Sequence, residues 1–459
     1  MAVRVPLGRL VGGDLAPSHL ERRGSFGVAR CGAVRIDHHR AQAICNTPAI
    51  SVRTGVGRGV SLTMVGTALG RPWVVAAVAA GGAAPHAEVP ARFLVTLGAK
   101  MTLIVHRRAF WPKGLWEQEG DATEVVELGS ATSRSEKLAL QGRLAARLAG
   151  AARRGADLVA GFGSPITPAL LLARCFSRRP VLTYHTQDFL EPGRYPWREV
   201  CERWVARRAG LVCSNEINRA RILQSLWRLP VPPVVVPTGL PREWPFPARD
   251  LERRRAILGE NREEASTLVL HAGGFSPVRC TEKIIRAAAS LDSRFVLAFT
   301  ASPPGSESRA RIESIARETG VAGRVVCLPF LSYPELLGLI ASADIGLLLY
   351  PNDGIGNFYQ RPGRLTEYVG CGIPIVTSCF PGLKQLVTSH GLGAVCDPED
   401  PAAIAAAIER VGSTAESQPE RNTRLREVFR TSLCFEAGSA EYEHAWRRLL
   451  SRATRGRRG

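Results

Sequence analysis

From Trp73 to about Val411 the chain repeats one pattern: a short apolar run, a loop rich in glycine or proline, then a stretch of helical period. Parallel strands need a long crossover between them, so this alternation predicts parallel sheets covered by helices. The run 73–80 reads as a buried strand, followed by the loop at Gly81-Gly82, a helix over 88–97 and a strand over 101–106. Helices over 135–154, 168–176, 196–208 and 217–227 then alternate with strands over 156–160, 181–184 and 210–213. Seven prolines between Pro230 and Pro247 interrupt the series and predict a stiff connector. Beyond them strands are expected over 267–271, 295–299, 325–328, 345–349 and 375–376. Helices fit at 249–258, 281–290, 306–319, 333–342, 364–369, 401–411 and 437–450. The expected architecture is α/β, with two Rossmann-like doubly wound domains and a cleft between them. Ligands in such sheets bind at the carboxyl ends of the strands.

The formal charge of +19 and pI near 10.1 would suit a polyanion binder. Its distribution argues otherwise. Residues 1–70 hold nine arginines against three acids, and residues 447–459 hold six arginines and no acid. Most of the excess is therefore at the two ends, no nucleic-acid-binding module is recognisable, and nucleic acid is not an expected partner. Residues 1–71 read as a basic, disordered extension, with Met64 as an alternative start. No apolar run reaches the roughly 20 residues that span a bilayer. Eleven scattered cysteines without a CxxC suit buried thiols in a reducing cytosol. The helices over 135–154 and 196–208 mix Leu138, Trp197 and Trp204 with many arginines. Such helices usually cover a sheet, but they can also lie on anionic lipid. A cytoplasmic protein, peripheral at the inner face of the membrane, is the expectation.

The segment from Gly356 to Ser378 carries the most chemistry. A glycine-containing loop opens a short helix at Gly363, Arg364, Leu365 and Thr366, whose first N–H groups and dipole can hold a phosphate. Glu367, one turn in, can accept hydrogen bonds from paired hydroxyls such as a ribose diol. Arg361 and Arg364 add positive charge beside it. A second glycine loop, Gly273-Gly274-Phe275-Ser276-Pro277, follows a strand and is succeeded by Arg279.

The segment around Pro362, Arg364, Leu365, Glu367, Tyr368, Gly372, Pro374 and Ser378 resembles the signature of the GT-B glycosyltransferases of family four, the group-1 glycosyltransferases. The resemblance runs in order from residue 72 to about 450. It implies transfer of a sugar from a nucleotide-sugar donor to an acceptor, with retention of anomeric configuration. The acceptor can be a glycan, a lipid or a small molecule. The resemblance further implies an acceptor domain over 72–240, a nucleotide-sugar domain over 241–435 and a terminal helix with an Arg-rich tail over 436–459. Gly273, Gly274, Arg279 and the Gly363–Glu367 segment would bind the donor, Gly81 and Gly82 would face the acceptor, and His185 would act in catalysis with Asp188 orienting it. No cofactor or metal is expected, because arginines and a helix terminus can carry the diphosphate charge.

Two positions depart from the family pattern. Gly274 stands where an arginine is common, and Tyr359 where many members have an acid. They leave room for a non-catalytic sugar-binding protein. A sugar-nucleotide epimerase is a further alternative, but no carboxylate pair for its acid–base steps is evident.

Overall fold

A computed structural model describes residues 73–79, 84–116, 122–129, 131, 133–176, 180–259 and 266–455. The basic segment 1–71 and the pair Gly81-Gly82 lie outside the described residues. Two all-parallel sheets organise the rest. The first contains β1 (Trp73–Ala79), β2 (Ala99–Val105), β3 (Thr123–Glu127), β4 (Leu158–Phe162), β5 (Val181–Thr186), β6 (Leu211–Ser214) and β7 (Val234–Val235). Its order is β3-β2-β1-β4-β5-β6-β7. β1 is an interior strand, with Ala77 in register with Leu103 on one side and Ala160 on the other. Both of its faces are covered, which is why this run carries no polar alternation.

The crossover helices are α1 (Val89–Thr96), α2 (Arg134–Arg153), α3 (Thr167–Phe176), α4 (Pro196–Arg208) and α5 (Ile217–Trp227). Leu144, Leu170, Val205 and Trp227 from α2 to α5 pack on one face with Ala76 and Val78. α1 covers the other face through Val89 and Phe93, together with Val75 and Ala77. A capping box starts α2: Ser133 N–H donates to Glu136 (3.0 Å) and Glu136 N–H to the Ser133 hydroxyl (3.2 Å).

The second sheet has β8 (Thr267–His271), β9 (Phe295–Phe299), β10 (Val325–Cys327), β11 (Ile345–Leu348), β12 (Ile375–Ser378) and β13 (Gly393–Cys396), in the order β10-β9-β8-β11-β12-β13. Its helices are α6 (Leu251–Leu258), α7 (Thr281–Ala287), α8 (Glu307–Glu318), α9 (Tyr333–Ser342), α10 (Ile355–Phe358), α11 (Gly363–Gly370), α12 (Pro381–His390), α13 (Pro401–Gly412) and α14 (Gln418–Val428). Ile284, Ile312 and Ile404 fill one face and Ile340, Leu365 and Leu383 the other.

The last helix, α15 (Ala440–Arg455), does not stay with the second sheet. Tyr442 and Trp446 are buried in the core of the first, and the Tyr442 hydroxyl donates to the Pro90 carbonyl (2.9 Å). The chain therefore crosses between the sheets twice. The crossings run side by side, with Phe435 N–H donating to the Leu240 carbonyl (2.9 Å). Gly239 permits this contact, because a Cβ there would stand 2.8 Å from the Leu433 carbonyl oxygen. The proline-rich stretch is more than the stiff connector its composition suggests. It contributes β7 to the first sheet and Trp244 to the second core.

Several boundaries differ from the sequence reading. β4 continues through Gly161 and Phe162, which read as a loop. A Cβ at Gly161 would come within 2.7 Å of both Leu170 and Ile166, so this glycine serves close helix–strand packing. His185 lies inside β5, one residue before its end. Strands β3, β7 and β13 and helices α10, α12 and α14 had no clear periodic signal. No helix among the described residues is long and apolar enough to cross a membrane.

Candidate active site

Strand order reverses between β8 and β11, the place where a doubly wound sheet opens a crevice at its carboxyl edge. A cavity of about 490 Å³ occupies that crevice. Gly273, Gly274 and Arg279 line it from the loop after β8, Tyr350 from the end of β11, and Gly363 and Arg364 from the start of α11. Five of the residues singled out in the sequence as donor-binding thus share one cavity, and His86 reaches it from the first domain. Arg279 lies over the Tyr350 ring, 4.5 Å from its centroid, which steadies the guanidinium in the lining.

The other three marked residues sit behind the wall. The Leu365 side chain is in the core, and the Thr366 hydroxyl donates to the Gly363 carbonyl (2.8 Å). Glu367 is 1% exposed and fully engaged. Arg364 pairs with one carboxylate oxygen; Tyr333 donates to the other at 3.0 Å, with His86 Nδ1 3.5 Å from it. Burial alone would raise its pKa, but Arg364, His86 and Tyr333 prevail and hold it at about 2. Arg361 does not line this cavity.

His86, whose importance the sequence did not signal, packs against α11. A Cβ at Gly363 would be 2.7 Å from its ring, so only glycine admits the imidazole there. His271, at the end of β8, is a second unforeseen lining residue. Both of its ring nitrogens are buried without a partner, and burial, with Arg279 and Arg364 nearby, lowers its pKa to about 3. At Gly274 a Cβ would lie 2.7 Å from both the Ala301 carbonyl oxygen and the Ser308 hydroxyl. The loop is packed backbone to backbone, so the arginine common at this position has no room.

His185 is placed apart from the donor residues. It is 3% exposed, stacks on Phe162 at 4.2 Å and meets the edge of Tyr442 at 5.3 Å. It lines a small neighbouring cavity with His86 and Thr186, so His86 touches both cavities. Its Nε2 has no partner, and burial lowers its pKa to about 3, leaving a neutral ring. Asp188 does not orient it. That residue is exposed, and its backbone carbonyl accepts from the Thr186 hydroxyl (2.8 Å).

The segment around Tyr359 is held by the first domain. Gly356 N–H donates to Glu191 (2.5 Å), while Arg219 bonds the Gly356 carbonyl and donates to the Gln360 side chain (2.6 Å). Asp353, the nearest upstream acid, is exposed and accepts from Asn357 (2.5 Å). Neither Tyr359 nor Asp353 lines the cavity.

Residues 253–427, which contain this cavity's second-domain wall, match the family Glycosyl transferases group 1. The match falls on the second sheet and its helices. Over 186 residues the chain is 30% identical to the D-inositol 3-phosphate glycosyltransferase of Thermomonospora curvata, covering 38% of this chain and 40% of that protein. It is 27% identical over 266 residues to the Mycobacterium marinum protein of the same name, 57% and 55% of the two chains. The matches thus span about half the length of these curated relatives. Among solved structures, sucrose-phosphate synthase from Thermosynechococcus elongatus superposes with a TM-score of 0.65 at 17% identity, covering 83% of this chain and 99% of that one. HepE of Anabaena, in complex with UDP and glucose, gives 0.60 at 17% identity over 81% and 99%. These likenesses give the two sheets the GT-B fold.

Proposed function

We propose that the protein transfers a sugar from a nucleotide-sugar donor to an acceptor, with retention of configuration. The observation that supports this most is the convergence of Arg279, Arg364 and the N-terminus of α11 on one cavity at the β8/β11 crevice. Two guanidiniums and a helix start suit a diphosphate, whose charge grows as the sugar bond breaks. HepE, which shares the fold, has structures in complex with UDP and with UDP-glucose.

Donor entry would exchange partners at Glu367. A ribose diol replaces His86 on the carboxylate oxygen that Tyr333 also contacts, while Arg364 stays on the second oxygen and faces the phosphates. The neutral His185 cannot serve as an acid near pH 7. It can accept a hydrogen bond from the acceptor hydroxyl or the transferred sugar. Approach of the two domains then excludes water from the activated sugar. Contact with an anionic membrane surface from the cytoplasmic side belongs to the same reading.

A titration with UDP, with GDP for comparison, tests the donor assignment. Arg279→Ala and Glu367→Ala should each weaken binding by roughly tenfold or more. Undiminished binding in both variants overturns it. Mass spectrometry of products from candidate nucleotide sugars separates transfer from binding alone.

A further inference from the structure

A second, larger cavity lies at the carboxyl edge of the first sheet, on the face covered by α2, α3 and α4. This is the face opposite the one on which His185 packs with Tyr442. The groove has a volume of about 1250 Å³, ample for a lipid headgroup and part of an acyl chain. One wall is apolar: Leu138 and Leu140 from α2, Pro165 and Pro168 before and within α3, and Trp197 from α4. Leu138 is 75% exposed and Trp197 61%, although both belong to helices that bury other apolar residues. The exposed apolar surface continues along α4 through Val200 and Trp204.

The other lining is cationic. Arg107, Arg134, Lys137 and Arg198 border the groove, and among the described residues no carboxylate lines it. Among the described residues none of these four forms an ion pair; Arg198 is instead steadied by donating to the Ser164 hydroxyl (2.6 Å). Two polar atoms in the lining, His106 Nε2 and Gln141 Oε1, are buried without hydrogen-bond partners among the described residues. An apolar wall beside unpaired cations is complementary to a molecule with a hydrocarbon chain and an anionic head.

We infer that this groove seats an anionic phospholipid, its phosphate among Arg107, Arg134, Lys137 and Arg198 and its chain along Leu138, Pro168 and Trp197. The inference rests on the membrane contact proposed above and deepens it, but it does not depend on sugar transfer. A lipid held here docks the first domain by its α2–α4 face, and the transfer cavity on the other side of the sheet stays clear of the surface.

The test uses the full chain with vesicles of phosphatidylcholine, with and without one-fifth phosphatidylglycerol. Co-sedimentation should require the anionic lipid, and the double substitution Arg134→Glu, Lys137→Glu should weaken it roughly tenfold or more. Bromine-labelled acyl chains should quench tryptophan fluorescence in the parent chain and much less in Trp197→Phe. Glycerol 3-phosphate at millimolar concentration should not compete. Equal binding to both vesicle types, an unaffected double variant, quenching that survives loss of Trp197, or full competition by glycerol 3-phosphate each overturns the assignment. UDP titration of the same variants should be unchanged, so failure here is distinct from failure of the donor reading.

Discussion

At Gly274 a missing side chain is a packing requirement. A Cβ at this position would meet the Ala301 carbonyl oxygen and the Ser308 hydroxyl, each at 2.7 Å. Gly274→Ala should therefore cost about 1–3 kcal/mol, read as a lower thermal midpoint. Gly274→Arg, which restores the common family residue, should destabilise further without tightening UDP; tighter binding would show that the loop can open. Glu202 offers a pH test. It is 2% exposed and accepts from the Tyr184 hydroxyl (2.5 Å). Burial raises its pKa from 4.5 to about 7, against the opposing pull of Tyr184, Thr186 and Arg198. The folded protein therefore holds this proton more tightly than the unfolded chain. The stability it confers is complete below about 4.5 and is lost as pH rises through about 7, at roughly 1.4 kcal/mol per pH unit. The parent-minus-variant difference in urea midpoint for Glu202→Gln should shrink as pH rises from about 4.5 to about 7; a constant difference counts against the shift. The sequence showed Gly273, Arg279, Gly363 and Arg364 because loop, helix start and charge are local patterns. His86, His271 and Glu191 were hidden because their importance comes from what lies opposite them in space.

The segment from α10 to Gln360 illustrates the same limit at the scale of an element. Nothing in residues 354–360 marks a helix, and α10 is only four residues long. Part of what holds it comes from another domain: Glu191 on the Gly356 N–H and Arg219 on the Gly356 carbonyl. Arg219→Met leaves that carbonyl without its cation and should cost about 2–3 kcal/mol. Hydrogen exchange should rise at Phe358–Gln360 more than elsewhere in the second sheet; uniform protection would show that the clasp is incidental. Strands β3 and β13 escaped for a different reason. β3 is an edge strand reading Thr-Glu-Val-Val-Glu without a buried residue, and β13 is four residues long and opens on Gly393. A Cβ at Gly393 would lie 2.0 Å from the Ile375 carbonyl oxygen, so that glycine answers to its neighbour strand. Long buried runs such as β1 and β8 were legible because both faces demand apolar residues.

Among the described residues of the whole molecule, His185 in the first domain and His271 in the second are neutral, buried imidazoles, both with pKa values near 3. Such a group binds its proton less readily when folded. Its contribution to stability is complete above the ordinary value of 6.5 and falls as pH drops toward about 3; in the first domain the gain at Glu202 between about 7 and 4.5 offsets this, so the second domain should weaken first in mild acid. Circular dichroism of Glu202→Gln between pH 6.5 and about 3 checks the first imidazole; an acid-stable first domain in that variant would show that His185 is better solvated than its packing indicates. The two-domain plan itself was legible from the alternation of strands and helices. What it hid was ownership of α15, because an amphipathic helix does not say which sheet it will cover. Trp446 is 1% exposed in the first core, so Trp446→Ala should cost about 3–5 kcal/mol and lower the first domain's transition. That docking also orders events during synthesis. A ribosome makes all of β1–β7 before it makes residues 440–455, so the nascent first sheet must wait, one face partly bare, through translation of the entire second domain. The half that is made first is completed last, and a chaperone bound to the nascent chain would have its longest task there.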